Sequence, residues 1–386
     1  MDRPEGRTAT TQGELPPALD GRARVFPCSG CGAQLEFNID AGQLRCPFCG
    51  AEQDLGIDPD ARIEERDLDA ALAHEAERRK GASATAGRAE SARREVRCED
   101  CGATTSFVGT LTSSDCDYCG APLVVENAHA AVDRVPADGV LPFSFAKDAA
   151  QANLQRWIGS RWFAPTGFRK LAIDGRFHGV YLPYWTFDAL TFTRYVGERG
   201  DHYWVTVRHG DQTRQERRTR WSPAAGSFRR FFDDVLVPAT RSEATGLPMK
   251  LIVGLDPWPL ERSLPFTDAA LVGFSARTYD VDLRGGFQVG RKRMESALDA
   301  EVRRRIGGDE QRVHSRQSQY SALTYKHLLL PVWLLTYRFH GKPYRVAVNG
   351  VTGEVRGERP WSIWKILFAV LVVGGIVGAI VWASKR

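Results

Sequence analysis

The chain has 386 residues, 43% of them hydrophobic, which is enough for one substantial core together with smaller modules, so two or more structural units are expected. Its formal net charge of +5 is small for that length. Composition therefore gives no reason to expect a generally basic nucleic-acid binder, and any basic surface has to be local.

The opening MDRPEGRTATTQGELPPALDG has no apolar run of the kind a secretory signal needs, so export of the N-terminal part is not expected. Residues 1–24 are expected to be disordered. Eight cysteines follow as four C-x2-C pairs: Cys28/Cys31, Cys46/Cys49, Cys98/Cys101 and Cys116/Cys119. The same 14-residue spacing, 32–45 and 102–115, separates the pairs in each half. Two thiolates on one knuckle and two on the next complete a tetrahedral zinc shell at about 2.3 Å. A glycine follows every second cysteine (Gly32, Gly50, Gly102, Gly120), where a left-handed residue turns the knuckle amides toward sulfur. Between the knuckles, Leu35, Phe37 and Ile39, and then Thr105, Phe107 and Val108, suit short hairpin strands. The pattern predicts two zinc ribbons, 25–56 and 96–127, holding two structural Zn²⁺ ions. A disulfide framework fits poorly with a chain that shows no signal, and a redox C-x-x-C normally occurs once rather than as four paired copies. Catalytic zinc needs an open position that four thiolates do not leave.

Residues 57–95 differ in kind. From 60 to 80 the sequence is rich in Ala, Glu and Arg with sparse Ile63, Leu68 and Leu72, which predicts an exposed, charge-paired helix. Residues 81–92, rich in Gly, Ala and Ser, then predict a flexible tether.

Residues 128–360 read as a mainly antiparallel β domain with a few helices. Ala146, Ala150, Leu154, Trp157 and Ile158 have helical spacing, stopped by Pro165 and Gly167. Strands are predicted from His178 through GVYLPYWTFDALTFTRYVGERG, DHYWVTVRHG, QTRQERRTRWS and RRFFDDVLVPAT. Val289, Met294, Leu298, Val302 and Ile306 predict a helix over about 287–306, ended by Gly307 and Gly308. Strands resume over 328–358, with turns at His340-Gly341-Lys342 and Asn349-Gly350. Tyr181-Leu182-Pro183-Tyr184-Trp185-Thr186 aligns with Leu329-Leu330-Pro331-Val332-Trp333-Leu334, each followed by an aromatic strand and a glycine turn (Gly197, Gly341), which suggests an internal duplication with both tryptophans in the core. Seven arginines, Arg208, Arg214, Arg217, Arg218, Arg220, Arg229 and Arg230, stand against Asp211 and Glu216, with Trp221 and Phe228 interleaved. This run is a candidate anionic-ligand patch for nucleic acid or lipid headgroups, set against an ordinary solvated hairpin face.

Residues 363–383 form the last unit, with 366–383 free of charge and about 27 Å long as a helix, close to one bilayer crossing. Trp361, Trp364 and Trp382 mark its edges, and Lys365, Lys385 and Arg386 bracket it. Gly374-x-x-x-Gly378 offers a small-residue face for a homodimer. Zinc-binding thiolates need a reducing compartment, which predicts a single-pass protein of the cytoplasmic membrane with its large N-terminal part in the cytosol.

FPCSGCGAQLEF with LRCPFCG, GVYLPYWTFDA, LLLPVWLLTYRFHGKPYRVAVNGVTGEVRGERPWS and the terminal apolar helix together resemble a bacterial family of zinc-ribbon membrane proteins over nearly the whole chain. Its members are described as carrying a transcription factor IIB type zinc ribbon, or as relatives of primosomal protein N′ (replication factor Y) helicase. The resemblance implies all-thiolate zinc binding at the eight cysteines and membrane residence. It implies no motor, since the sequence has no G-x-x-x-x-G-K-[ST] loop. There is also no H-E-x-x-H and no G-x-S-x-G, and Asp201-His202 with His209 reads as ordinary surface, so no catalytic residue and no enzyme activity are expected. Two roles remain: a membrane-bound adaptor for a protein partner, or a membrane-tethered binder of single-stranded nucleic acid using the ribbons and the arginine run.

Overall fold

The computed structural model describes residues 27–33, 35–39, 42–55 and 61–82, the strand backbones within 94–130, and then 135–165, 167, 176–210, 212–241, 247–272, 274–339 and 342–384. Strands β1 (Glu36–Asn38), β2 (Gln43–Arg45) and β3 (Glu52–Gln53) make a small antiparallel sheet of their own. Next come β4 (Arg66–Asp67), helix α1 (Leu68–Ala82), β5 (Arg94–Arg97), β6 (Thr104–Phe107), β7 (Ser113–Asp115), β8 (Pro122–Val124), β9 (His129–Ala130) and β10 (Gly139–Val140). Helix α2 (Lys147–Gly159) leads to two long strands, β11 (Arg176–His209) and β12 (Gln212–Phe232). After β13 (Val237–Pro238), the short helix α3 (Met249–Val253), β14 (Leu264–Pro265) and β15 (Ser275–Arg277), helix α4 (Leu283–Ile306) precedes the equally long β16 (Glu310–Phe339). The chain closes with β17 (Lys342–Asn349), β18 (Val355–Gly357) and helix α5 (Ile363–Ser384). The architecture is α+β, and the main sheet runs β14-β10-β16-β11-β15-β6-β5-β9, with β12 and β13 also on β11, β4 and β17 on β16, and β18 on β17.

The central pair, β11 and β16, carries a proline in each strand, a residue that cannot donate to a ladder. The register explains why both are tolerated. Tyr181 lies opposite Pro331, Leu182 opposite Leu330, and Pro183 opposite Leu329. On its outer side β11 pairs with parallel β15 at Val180 and Tyr181, then with antiparallel β13 at Tyr184 and Trp185. On the other side β16 pairs with parallel β10 at Leu328 and Leu329, then with antiparallel β17 from Val332. Each proline thus sits where the outer neighbour changes, and the arrangement is symmetric about the Leu182–Leu330 pair. The carbonyls there stay in use, accepting from Ala239 N at Pro183 and from Gly350 N at Pro331.

Helix α4 braces the long strands. Asp282 caps it by accepting from Gly285 N at 2.8 Å, and Gly307, at φ 69°, ends it. Met294, Leu298, Val302 and Ile306 bury against Trp185, Phe187, Tyr195 and Phe228. A Cβ on Gly286 would lie 2.5 Å from the Trp185 ring, and one on Gly290 would lie 2.8 Å from Phe187, so the helix rests directly on the strand. Trp185 donates from Nε1 to Val281 O at 2.8 Å and packs against the His327 ring, tilted by 35° with centroids 4.6 Å apart.

His327 is buried, and its Nδ1–H donates to the carbonyls of Pro136 and Val135 at 3.1 and 3.2 Å. Burial holds its pKa down to about 4. Since an unfolded histidine titrates near 6.5, the unfolded chain binds the extra proton first. This contribution to stability is intact above about pH 6.5, and falls by about 3 kcal/mol as pH drops to about 4. Denaturation midpoints measured across that window are expected to fall more steeply for the native chain than for His327→Gln, and equal slopes would contradict the assignment.

Several expectations change. The 60–80 segment is not simply solvated: Asp67 Oδ1 caps α1 through Ala70 N at 2.7 Å, β4 pairs with β16, Leu68 is fully buried beside Trp185, and Ile63 joins the central core. The helix begins at Leu68, where that anchoring starts, rather than at 60. Gly197 is not a turn. It lies within β11 at a register shift opposite Val313, with Ile306 of α4 against its backbone. The predicted short strands after His178 therefore fuse into two, turning at Gly210 with φ 60°. The turn at Asn349 extends to Glu354. The side chain of Asn349 organises it, accepting from Val351 N and Thr352 N while donating to Leu255 O and Pro257 O. Gly341 lies outside the described residues, as do residues 1–24 and most of the 81–92 tether.

Candidate metal centre and membrane span

The segment that carries the first two cysteine pairs folds around its sulfurs. Gly32 and Gly50 take φ 71° and 74° as the knuckle pattern requires, with Gly32 N donating to Cys28 O and Gly50 N to Cys46 O. Cys28 and Cys46 are buried, and Cys31 and Cys49 close the cluster from the exposed side. Sγ of Cys28 is 3.4 Å from that of Cys49, Sγ of Cys31 is 3.5 Å from that of Cys46, and all four lie within 4.8 Å of one another. Tetrahedral sulfurs at about 2.3 Å from one ion stand about 3.8 Å apart, so the donor set fits a single metal ion and is far too open for disulfides. The amides of Gly30 and then Cys31 pull the Cys28 thiol down, and those of Cys49 and then Phe48 outweigh desolvation to bring Cys46 to about 6. The amides of Ala33 and Ala51 likewise pull on Cys31 and Cys49, but the neighbouring sulfurs outweigh them and push Cys31 up to about 12 and Cys49 up, so without a cation the cluster shares its protons, and a bound metal ion is what would hold all four as thiolates.

This four-cysteine module is not free-standing. Leu35, Leu44, Cys28 and Cys46 bury together with Ala269 from the 3-10 turn Asp268–Leu271, with Val272 packed alongside. Phe37 meets Phe274 edge-on at 6.4 Å. Two residues further on, β15 pairs with β6, Ala276 opposite Ser106 and Arg277 opposite Thr105. Cys98, Cys101, Cys116 and Cys119 lie outside the described residues, but the strands around them are placed. Arg97 of β5 pairs with Thr104 of β6 across the first pair, and Asp115 of β7 pairs with Pro122 of β8 across the second. Residues 268–277 therefore meet the four-cysteine module at one end and the strand after Cys98/Cys101 at the other. Nothing in the cysteine spacing announces that contact. Phe48, between Cys46 and Cys49, is 82% exposed on the outer turn of its knuckle.

The arginine run is divided. Beyond Gly200, which pairs with the first residue of β16, the β11–β12 hairpin runs on for nine residue pairs, Asp201–His209 against Gln212–Arg220, about 30 Å, with no third strand on it among the described residues. Arg208, Arg214, Arg217, Arg218 and Arg220 lie on this bare hairpin, all exposed. Trp204 opposite Arg217 shares one face with Arg208, while Tyr203 opposite Arg218 shares the other with Arg214 and Arg220. Arg229 and Arg230 lie opposite Phe192 and Thr191, far back along the strand. Arg230 covers the Phe232 ring and donates to Ala297 O at 3.3 Å, binding strand to α4. Trp221 is capped by Arg312 at 3.7 Å and Phe228 is core. His202 is tied to Glu310 through Nε2 at 2.7 Å, and Arg199 pairs with Asp201. The carboxylates of Asp188, Asp233 and Asp234 also approach one another, but Lys326 neutralises Asp234 at 2.8 Å and Thr324 donates to Asp188.

Helix α5 has 22 residues, is long and apolar enough to cross a membrane, and buries none of its length in the protein. Gly374 and Gly378 leave open space along it.

No known family profile matches the sequence, and no solved structure matches it. The chain is similar to an uncharacterized protein, YdjG, of Bacillus subtilis (strain 168), 24% identical over 352 residues that cover 88% of this chain and 91% of that one.

Proposed function

We propose that this is a single-pass protein of the bacterial cytoplasmic membrane whose zinc ribbons, facing the cytosol, dock a protein partner. Two Zn²⁺ ions are structural in this reading, one on Cys28, Cys31, Cys46 and Cys49 and one on Cys98, Cys101, Cys116 and Cys119, each clamping two knuckles together. All eight thiols are used as ligands, which leaves none as a nucleophile and accords with a non-enzymatic role. The transcription factor IIB type and primosomal protein N′ resemblance belongs to the same proposal, as does a duplication behind the Pro-x-Trp segments, supported by the symmetric change of neighbours at Pro183 and Pro331.

The observation that carries the adaptor role is Phe48, a large apolar side chain held out on a metal-fixed knuckle. An aromatic anchor on a rigid support is the usual centre of an interface, and truncating one typically weakens binding at least about tenfold. A second role rests on the bare hairpin, whose arginines and aromatics on both faces suit phosphate contact and base stacking. Crosslinking the full chain in its own membranes tests both. The adaptor role predicts a saturable protein adduct that is lost in Phe48→Ala, Cys28→Ser and Cys98→Ser, and adducts unchanged in all three would refute it. Nucleic acid recovered instead, and lost on raising salt or in Arg217→Ala/Arg218→Ala, would establish the second role.

A further inference from the structure

The loop after α2 is tied to the start of the apolar helix, some two hundred residues later in the chain. Phe163 O accepts from Ser362 N at 2.8 Å. Lys365, in the first turn of α5, donates from Nζ to Ala164 O at 2.8 Å and to Trp162 O at 3.1 Å. A cation in that position opposes the helix dipole, and these two carbonyls are what hold it there. Pro360 and Ala164 are buried, so the connection is a seated joint rather than a loose linker.

Around the joint stand large apolar side chains directed at solvent. Trp162 is 51% exposed, Trp361 58% and Trp364 82%, with Ile363 exposed between the last two. Phe163 bridges them, its ring 5.0 Å from Trp162 and 6.4 Å from Trp361. Cations stand beside these rings: the Arg359 guanidinium lies over Trp361 at 4.3 Å, and Arg161, next to Trp162, covers the half-buried Trp157 of α2 at 4.9 Å. Indole rings beside cations are the composition that settles at the headgroup level of a bilayer.

We propose that the Trp162–Phe163 loop is a second membrane contact, inserted into the lipid headgroup region beside the span and fixing the orientation of the β domain on the bilayer. The proposal rests on α5 crossing the membrane. Residues 362–365 immediately precede the uncharged stretch and therefore lie at its interface, and a loop hydrogen-bonded to them lies at the same depth. The occupant is a lipid surface because the patch is continuous with the span, and Arg161 and Arg359 favour one with anionic headgroups.

The test is photo-crosslinking of the full-length protein in nanodiscs of phosphatidylethanolamine and phosphatidylglycerol, with p-benzoylphenylalanine replacing Trp162 in one preparation and Leu371, within α5, in another. Both sites are exposed, so neither replacement disturbs the core. Lipid adducts at both positions are the expected result. Adducts at 371 with none at 162 would overturn the loop contact while leaving the span intact, and adducts at neither would overturn the span and the loop contact together.

Discussion

Replacing Cys46 with Ser is expected to cost the first ribbon its metal and with it its fold. Among the described residues, this module buries only Leu35 and Leu44 fully, beside Cys28, Cys46 and one borrowed alanine. Two leucines contribute about 3 to 6 kcal/mol, whereas the apparent contribution of a structural zinc is on the order of 10 kcal/mol or more. The three-stranded sheet β1-β2-β3 is separate from the main sheet and meets it through Ala269, Val272 and Phe274. Its loss should therefore be local. Hydrogen exchange is expected to show residues 28–55 losing protection, with β11 and β16 unchanged and bound zinc lower by one ion per chain. Retained protection in Cys46→Ser would mean that the ribbon is held by packing rather than by metal.

Truncating Trp185 to Ala is expected to destabilise the β domain by about 3 to 5 kcal/mol, the range for a large aromatic deleted from a core. The side chain is fully buried, touches Tyr279, Tyr325 and His327, and leaves Val281 O without its donor when removed. Gly286 makes the site tighter still, because α4 has no side chain there with which to fill the space. At a slope of about 2 to 3 kcal/mol per molar urea, the midpoint should fall by about 1 to 2.5 M. Trp204→Ala, on the bare hairpin, serves as the control, since that indole is 63% exposed and its loss should leave the midpoint unchanged. Equal midpoints for Trp185→Ala and Trp204→Ala would remove Trp185 from the core.

Local chemistry was readable in the sequence, and tertiary contact was not. C-x2-C pairs declare a ligand set because both thiolates come from one turn, and the Gly after each pair in the first ribbon takes the positive φ that its position demands. The end of α4 was equally plain at Gly307 and Gly308. Its beginning was hidden, because Gly285, Gly286 and Gly290 weaken helix propensity. Gly286 and Gly290 are present so that Trp185 and Phe187 can touch the helix. Gly197 misled in the same way, marking a bulge against Ile306 rather than a turn. Leu68 carried too faint a pattern to reveal that a charged helix is anchored in the core. The docking of the first ribbon on residues 268–274 had no signal at all, since Ala269 and Phe274 look like any other apolar residues until the fold brings them to Leu35 and Phe37. The arginine run was visible as composition, but only the register separates five exposed arginines on the hairpin from Arg230, which serves the packing of α4.

Metal content decides the account most directly. Native mass spectrometry of the full chain, purified from its own membranes without chelator, is expected to find two Zn²⁺ ions per chain and all eight cysteines reduced. A chain that carries no metal, or whose cysteine pairs are joined as disulfides, would contradict it.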